Sequence, residues 1–250
     1  MKILVLFLCL LRNGYGKESD SMSKFIYSAK TDAGTIKKIN QDSLLVLHGK
    51  YKSEEIVLAV ICDGLGGLSF GEIASATVVQ TFSKWFETCN FNQSLYMLQQ
   101  SIEKQLQDLN EIIRAYAKNH QIQMGTTCSG ILFIHQQYIL FHIGDTRIYT
   151  VSQKVKQLTT DHRKNMYLLE QCLGVNETIH PQIETGKIQD PLFLLCSDGF
   201  YNRLPAQFFQ EFKGVRSIRN MQNLLQKWIH YDKENHEKDN LSAIGIRILP

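Results

Sequence analysis

The stretch 58–77, LAVICDGLGGLSFGEIASAT, constrains the rest of the chain more than any other. It begins inside an apolar, β-branched run over residues 56–62. That run breaks at Asp63-Gly64, passes through Gly66-Gly67 and resumes as a helical pattern near Gly71. A buried strand thus ends in a carboxylate, followed by residues with almost no side chain. Such a corner puts an acid at the lip of a sheet and lets a small group approach the backbone closely. Three readings compete: a phosphate- or dinucleotide-cradling turn, a metal site with Asp63 as ligand and the Gly64 carbonyl beside it, and a plain strand–turn–helix corner. The first is weak, because Ser69 stands where G-x-G-x-x-G needs its third glycine and no second parallel βαβ unit with a ribose-binding acid follows. A Walker loop is excluded, since no G-K-[ST] follows.

The 250 residues, 44% of them hydrophobic, suffice for one ordinary core. A charged fraction of 20% gives no sign of disorder. The net charge of +3 comes without any Lys/Arg block, so nucleic acid is not an expected partner. The cysteines are Cys9, Cys62, Cys89, Cys128, Cys172 and Cys196; none forms C-x-x-C or a zinc-finger pair. Cys62, Cys128 and Cys196 sit in apolar strand-like runs, as small buried hydrophobes of a reducing compartment do. Residues 3–11 resemble a short signal core but are too few to span a membrane. The expectation is a disordered or signal-like extension over 1–23, upstream of a true start at Met22, followed by one domain over 24–250. A cytoplasmic location without stable membrane insertion goes with it.

Strands are predicted over residues 25–29, 43–47 and 56–62. Helical periodicity follows, with Ile73, Thr77, Val78, Thr81, Phe82, Trp85 and Phe86 on one face. A second long helix covers 93–120, with Leu95, Leu98, Ile102, Leu106, Leu109, Ile113 and Tyr116 on its apolar side. Strands over 128–135, 138–144, 147–152 and 155–159 read as an antiparallel meander. A short helix is expected over 165–173, then strands over 182–187 and 192–196, helices over 205–212 and 217–231, and a last strand over 241–249. Strands, helix pair, strands, helix pair and strand suit an α+β fold, two packed sheets flanked by helix pairs.

Four acids share one context. Asp42 opens a strand, Asp63 and Asp198 each end an apolar strand before glycine, and Asp239 precedes the last strand. Asp145 is a fifth, in the tight turn Gly144-Asp145-Thr146-Arg147. Each alone reads as a turn residue. Repetition of the strand-Asp-Gly pattern favours convergence at one end of a sandwich, where several carboxylates stay ionised only around a cation. Oxygen ligands without clustered Cys or His suit Mg²⁺ or Mn²⁺, and a pair of such ions activates water and clamps a phosphoryl oxygen.

On these residues the chain resembles the metal-dependent protein phosphatases, the type 2C serine/threonine phosphatases, in their compact bacterial form. The matching stretches are TDAGTIKKINQDS from Thr31, ICDGLGGLSFGEIAS from Ile61, Gly125 to Thr127, IGDTRIY from Ile143, LTTDH from Leu158, LLCSDG from Leu194, and Asp239-Asn240. They come in the family's order across nearly all of 24–250. The resemblance implies an αββα sandwich with a binuclear Mn²⁺ or Mg²⁺ centre. Asp42, Asp63, Asp198 and Asp239 would be its carboxylate ligands, the Gly64 carbonyl a further ligand, and Asp145 a ligand for a third, weaker ion. It implies attack of activated water on phosphoserine or phosphothreonine without a covalent intermediate. Phosphorylated proteins are then the substrates, a Ser/Thr kinase the counterpart, and a monomer the working state.

Three positions depart from the family pattern. Lys37 stands where an arginine anchors the substrate phosphate; it keeps the charge but loses bidentate geometry. Gln41 replaces a glutamate, and Leu65 replaces the histidine that serves some members as general acid. The segment between His162 and Leu192 is short for the flap beside the active site. Two rivals remain: a pseudophosphatase that senses phosphoproteins without turnover, and a hydrolase of small phosphate esters on the same fold.

Overall fold

The computed structural model describes residues 23–65, 70–165 and 168–249. The extension before residue 23 and the glycine-run positions Gly66, Gly67 and Ser69 lie outside the described residues. β1 (Phe25–Asp32), β2 (Ser43–Tyr51) and β3 (Glu54–Cys62) lead into α1 (Gly71–Thr88) and α2 (Leu95–His120). β4 (Cys128–Ile134), β5 (Gln137–Ile143), β6 (Arg147–Val151) and β7 (Val155–Gln157) follow. β8 (Arg163–Asn165) and β9 (Leu168–Leu169) form a small ribbon before β10 (Gln182–Lys187) and β11 (Leu192–Cys196). α3 (Asp198–Tyr201), α4 (Ala206–Lys213) and α5 (Ile218–Glu234) precede β12 (Leu241–Ile248).

Two five-stranded sheets result, in the orders β1-β12-β11-β6-β7 and β10-β5-β4-β3-β2, with antiparallel pairing throughout. β3 shows why its sequence is apolar without alternation. Ile56, Leu58, Val60 and Cys62 pack under α1 and α2, whereas Val57, Ala59 and Ile61 fill the space between the sheets. Successive side chains point to opposite faces, and here both faces are buried. The β1-β12-β11-β6-β7 sheet is covered on its outer face by Phe200, Phe208, Phe212, Leu225 and Trp228 of α3, α4 and α5. The order of layers is helix, sheet, sheet, helix, as expected.

Two expectations are corrected. The α1 face that packs comprises Ala74, Val78, Val79, Phe82, Trp85 and Phe86; Ile73 is 37% exposed and faces outward. Among the described residues of 165–173 the expected helix is not found: Arg163 pairs with Leu169 across a ribbon, and Leu173 exchanges backbone hydrogen bonds with Thr126 at 2.9 and 3.0 Å. Gly174 N–H donates to Asn110 Oδ1 of α2 at 2.8 Å, which anchors the same segment. Long-range partners have taken the backbone groups that a local helix would have used.

Candidate active site

The strand ends at one edge of the sandwich bring the five aspartates together. β2 begins just after Asp42, β3 ends just before Asp63, β11 ends two residues before Asp198, and β12 begins two residues after Asp239. Asp145 lies in the β5–β6 turn at the same edge. Gly64 seals the join: a Cβ there would stand 2.5 Å from the Gly71 carbonyl oxygen and 2.6 Å from that of Gln41. Only glycine lets the three segments meet this closely.

Local hydrogen bonds set each acid. Asp63 N–H donates to Thr127 Oγ1 at 2.9 Å, and its carbonyl accepts from Thr127 N–H and from Thr126 Oγ1, both at 2.9 Å. Asn240 holds the loop before Asp42, accepting from Gln41 N–H at 2.9 Å and donating to the Ala33 and Ile39 carbonyls. Asp198 starts the short helix α3. The Asp145 turn hangs on a buried chain of contacts: Ser129 Oγ lies 2.6 Å from Thr146 Oγ1 and 2.7 Å from His142 Nδ1, and His142 Nε2 lies 3.1 Å from the Thr160 carbonyl.

The electrostatics are those of crowded acids. Burial pushes Asp42 up to about 7, with Asp198 and Asp239 adding to the rise. Burial and then Asp42 and Asp198 hold Asp63 well above the carboxylate range. Asp198 is raised to about 6, by burial and then by Asp145 and Asp239, against the opposing charge of Arg163. Burial also raises Asp145, again against Arg163. Both oxygens of Asp42 are buried without a hydrogen-bond partner. The nearby Ser242 and Ser197 hydroxyls favour its charged form but are engaged elsewhere, with Thr31 at 2.8 Å and with the Ser242 N–H at 3.1 Å.

A partnerless buried carboxylate among three others fits a divalent cation on chemical grounds. Among the described residues no three Asp, Glu, His or Cys side chains close on one point at ligand distance. Asp145 and Asp198 reach instead to Arg163, and Asp239 Oδ1 to Lys37 Nζ at 3.3 Å.

Lys37 therefore lies at the carboxylate ring and not in a remote loop. Gln41 donates to Glu72 Oε2 at 3.3 Å. A Cβ on Gly125 would meet Leu65 Cδ1 at 2.9 Å, so the Leu65 side chain packs at this edge and carries no proton. Arg147, next to the Asp145 turn, is committed to structure: its guanidinium grips Asp161 at 2.7–3.1 Å and stacks 3.8 Å from the Tyr201 ring. Sequence reasoning missed Arg163, which donates to Asp145 Oδ2 at 2.7 Å, to Asp198 Oδ2 at 3.4 Å and to Tyr201 Oη at 3.1 Å. Its place directly after the LTTDH stretch was the available signal. It also missed His142 and Ser129, which no motif marks.

Comparison with known proteins agrees with this arrangement. The model of the protein phosphatase 2C family matches residues 35–231. The chain is 26% identical over 242 residues to the serine/threonine phosphatase stp of Listeria innocua, covering 87% of this chain and 93% of that one. It is 27% identical over 195 residues to the serine/threonine protein phosphatase PstP of Mycobacterium tuberculosis, covering 69% of this chain and 36% of that one. Among solved structures, serine/threonine phosphatase Stp1 from Staphylococcus aureus shares the fold with a TM-score of 0.80 at 21% identity, over 94% of this chain and 100% of that one. With a family model matched over most of its length and five acids gathered where two sheets end, the chain belongs to the protein phosphatase 2C family.

Proposed function

We propose that the chain is a metal-dependent serine/threonine phosphoprotein phosphatase. In this reading Asp42, Asp63, the Gly64 carbonyl, Asp198 and Asp239 hold two Mn²⁺ or Mg²⁺ ions, and Asp145 holds a third, weaker one. The observation that carries it is the partnerless buried Asp42 carboxylate beside three further acids, in a chain of this family. Ions held there supply an activated water and a positive clamp on the phosphoryl oxygens.

The chain's own residues do the rest. Thr126, Thr127 and Asn240 hold the backbone on which Asp63 and Asp42 stand. Lys37, part-exposed beside Asp239, offers a point charge to the incoming phosphate. Leu65 has no proton to give, so protonation of the leaving serine or threonine oxygen falls to water.

A kinase that phosphorylates the same proteins, a monomeric state and a cytoplasmic location complete the reading. Cys62, Cys89, Cys128, Cys172 and Cys196 are free thiols, which suits a reducing compartment. Among the described residues no helix is long and apolar enough to cross a membrane.

Phosphate release from a phosphothreonine peptide with Mn²⁺, set beside p-nitrophenyl phosphate, tests the proposal. Turnover of the peptide, abolished by EDTA, is expected. Peptide binding without turnover would mark a sensor, and activity on the small ester alone would mark a hydrolase of another class.

A further inference from the structure

The loop from β1 to β2 carries Ile36-Lys37-Lys38-Ile39 over the edge of the sandwich where the aspartates meet. Its backbone is pinned from both sides. Gly34 N–H donates to Asp32 Oδ1 at 2.9 Å, and Asn240 Nδ2 donates to the carbonyls of Ala33 and Ile39 at 3.0 and 3.3 Å. With the backbone so held, Ile36 is 62% and Ile39 57% exposed. Lys37 turns inward to Asp239, whereas Lys38 is exposed and, among the described residues, pairs with no acid.

The same rim continues on α1. Ser75 Oγ donates to the Gln41 carbonyl at 2.6 Å and Gln41 Nε2 to Glu72 at 3.3 Å, which ties the loop to the first turn of the helix. On that turn Phe70 is 41% and Ile73 37% exposed. Phe70 holds a left-handed backbone conformation, φ 67°, uncommon for a bulky residue. Of the eleven large apolar side chains exposed among the described residues, four stand on this rim. A folded chain leaves such residues scattered unless a surface has a partner.

We infer that this rim is a docking surface for the substrate, resting on the phosphatase reading above. It seats the segment around the phosphorylated residue, in an extended conformation. A large apolar side chain within two positions of the phosphothreonine or phosphoserine lies against Ile36, Ile39, Phe70 and Ile73. An acidic residue on the other side of the phosphate meets Lys38. Continuity with the carboxylate ring and charge complementarity decide the occupant: a phosphate reaching the ring carries its neighbours past this rim, and among the described residues the rim's unpaired charge is positive.

The test is steady-state kinetics with Mn²⁺ on three substrates. One is a phosphothreonine peptide flanked by leucine and glutamate, the second the same peptide flanked by glycine and glutamine, and the third p-nitrophenyl phosphate. The wild-type protein should prefer the first peptide by about tenfold in kcat/KM, the equivalent of seating one apolar side chain. Ile36→Ser with Ile39→Ser, and separately Lys38→Glu, should each shrink that preference to a few-fold or less. Neither should change turnover of p-nitrophenyl phosphate, which has no flanking residues. Equal use of the two peptides by the wild-type protein, a parallel loss on p-nitrophenyl phosphate, or a change of oligomeric state in the isoleucine variant would each overturn the docking surface. Silence on all three substrates would instead remove the phosphatase reading, and this surface with it.

Discussion

Arg163 Nε donates to Asp145 Oδ2 at 2.7 Å, so a cation from the β8–β9 ribbon already sits on the acid assigned to the third ion. An ion binding there has to displace or share that guanidinium. Arg163→Ala should therefore tighten the weakest Mn²⁺ site several-fold in calorimetric titration, with a smaller change at the strong pair, whose Asp198 the arginine touches at 3.4 Å. Weaker binding in the variant would mean that Arg163 orients Asp145 and does not compete for it.

Asp63 is raised by burial and then by Asp42 and Asp198, and Asp198 by burial and then by Asp145 and Asp239. Asparagine at either position keeps the shape and removes a repelling charge. We expect turnover to fall by about a hundredfold or more, a size typical of lost transition-state stabilisation of ~3 kcal/mol. Melting of the EDTA-treated protein should stay level or rise. Normal activity in both variants would end the metal-centre assignment.

Lys37 is about one-third exposed, and its pair with Asp239 adds little to stability. Its value lies in the substrate. Lys37→Ala should raise KM for a phosphopeptide with a loss of about 1–3 kcal/mol in kcat/KM, the worth of a charged hydrogen bond. Lys37→Arg should keep or improve kcat/KM through bidentate contact. An alanine variant with wild-type kinetics would leave Lys37 as a surface charge.

His142 is fully buried, and burial lowers it to about 3. Between that value and the unfolded value near 6.5, the unfolded chain binds the extra proton, so stability falls as pH drops below about 6.5. His142→Gln should flatten that part of the stability curve. It should also loosen the Asp145 turn at a cost of about 1 kcal/mol, as expected when the buried Ser129 hydroxyl loses one of its partners and keeps Thr146. Urea melts at pH 5 and 7.5 measure both effects.

Asp232 gives the opposite slope. It lies on α5, fully buried, with neither carboxylate oxygen hydrogen-bonded. Burial and then Glu237 raise it to about 7, against the charge of Arg203. The folded chain holds the proton longer, so this residue costs stability as pH rises from about 4 through 7. Asp232→Asn should raise the melting temperature at pH 8, by about 4 °C for each kcal/mol relieved, and change it little at pH 4.

Of the acids, those that end strands were readable from the chain alone. Asp63 and Asp198 are marked because an apolar run stops at a carboxylate and glycine follows at once, a pattern that binds local chemistry to local structure. The two long helices were readable for the same reason: their apolar period is local, as Leu98, Ile102, Leu106 and Leu109 show. The layer order followed from the succession of strands and helix pairs.

What the sequence could not carry was pairing between distant residues. Lys37 meets Asp239, and Arg163 meets both Asp145 and Asp198, only because two sheets stack and bring their strand ends to one edge. Ile73 looked like a packing residue by period, yet the direction from which the sheet approaches α1 leaves it on the rim. Residues 165–173 had the composition of a helix, but Thr126 and Asn110 offered their backbone better partners from elsewhere in the chain. Local periodicity and turn chemistry determined the elements and the acids. The stacking of the sheets, whose contacts span most of the chain, decided which charges face each other and which apolar side chains remain free to meet a substrate.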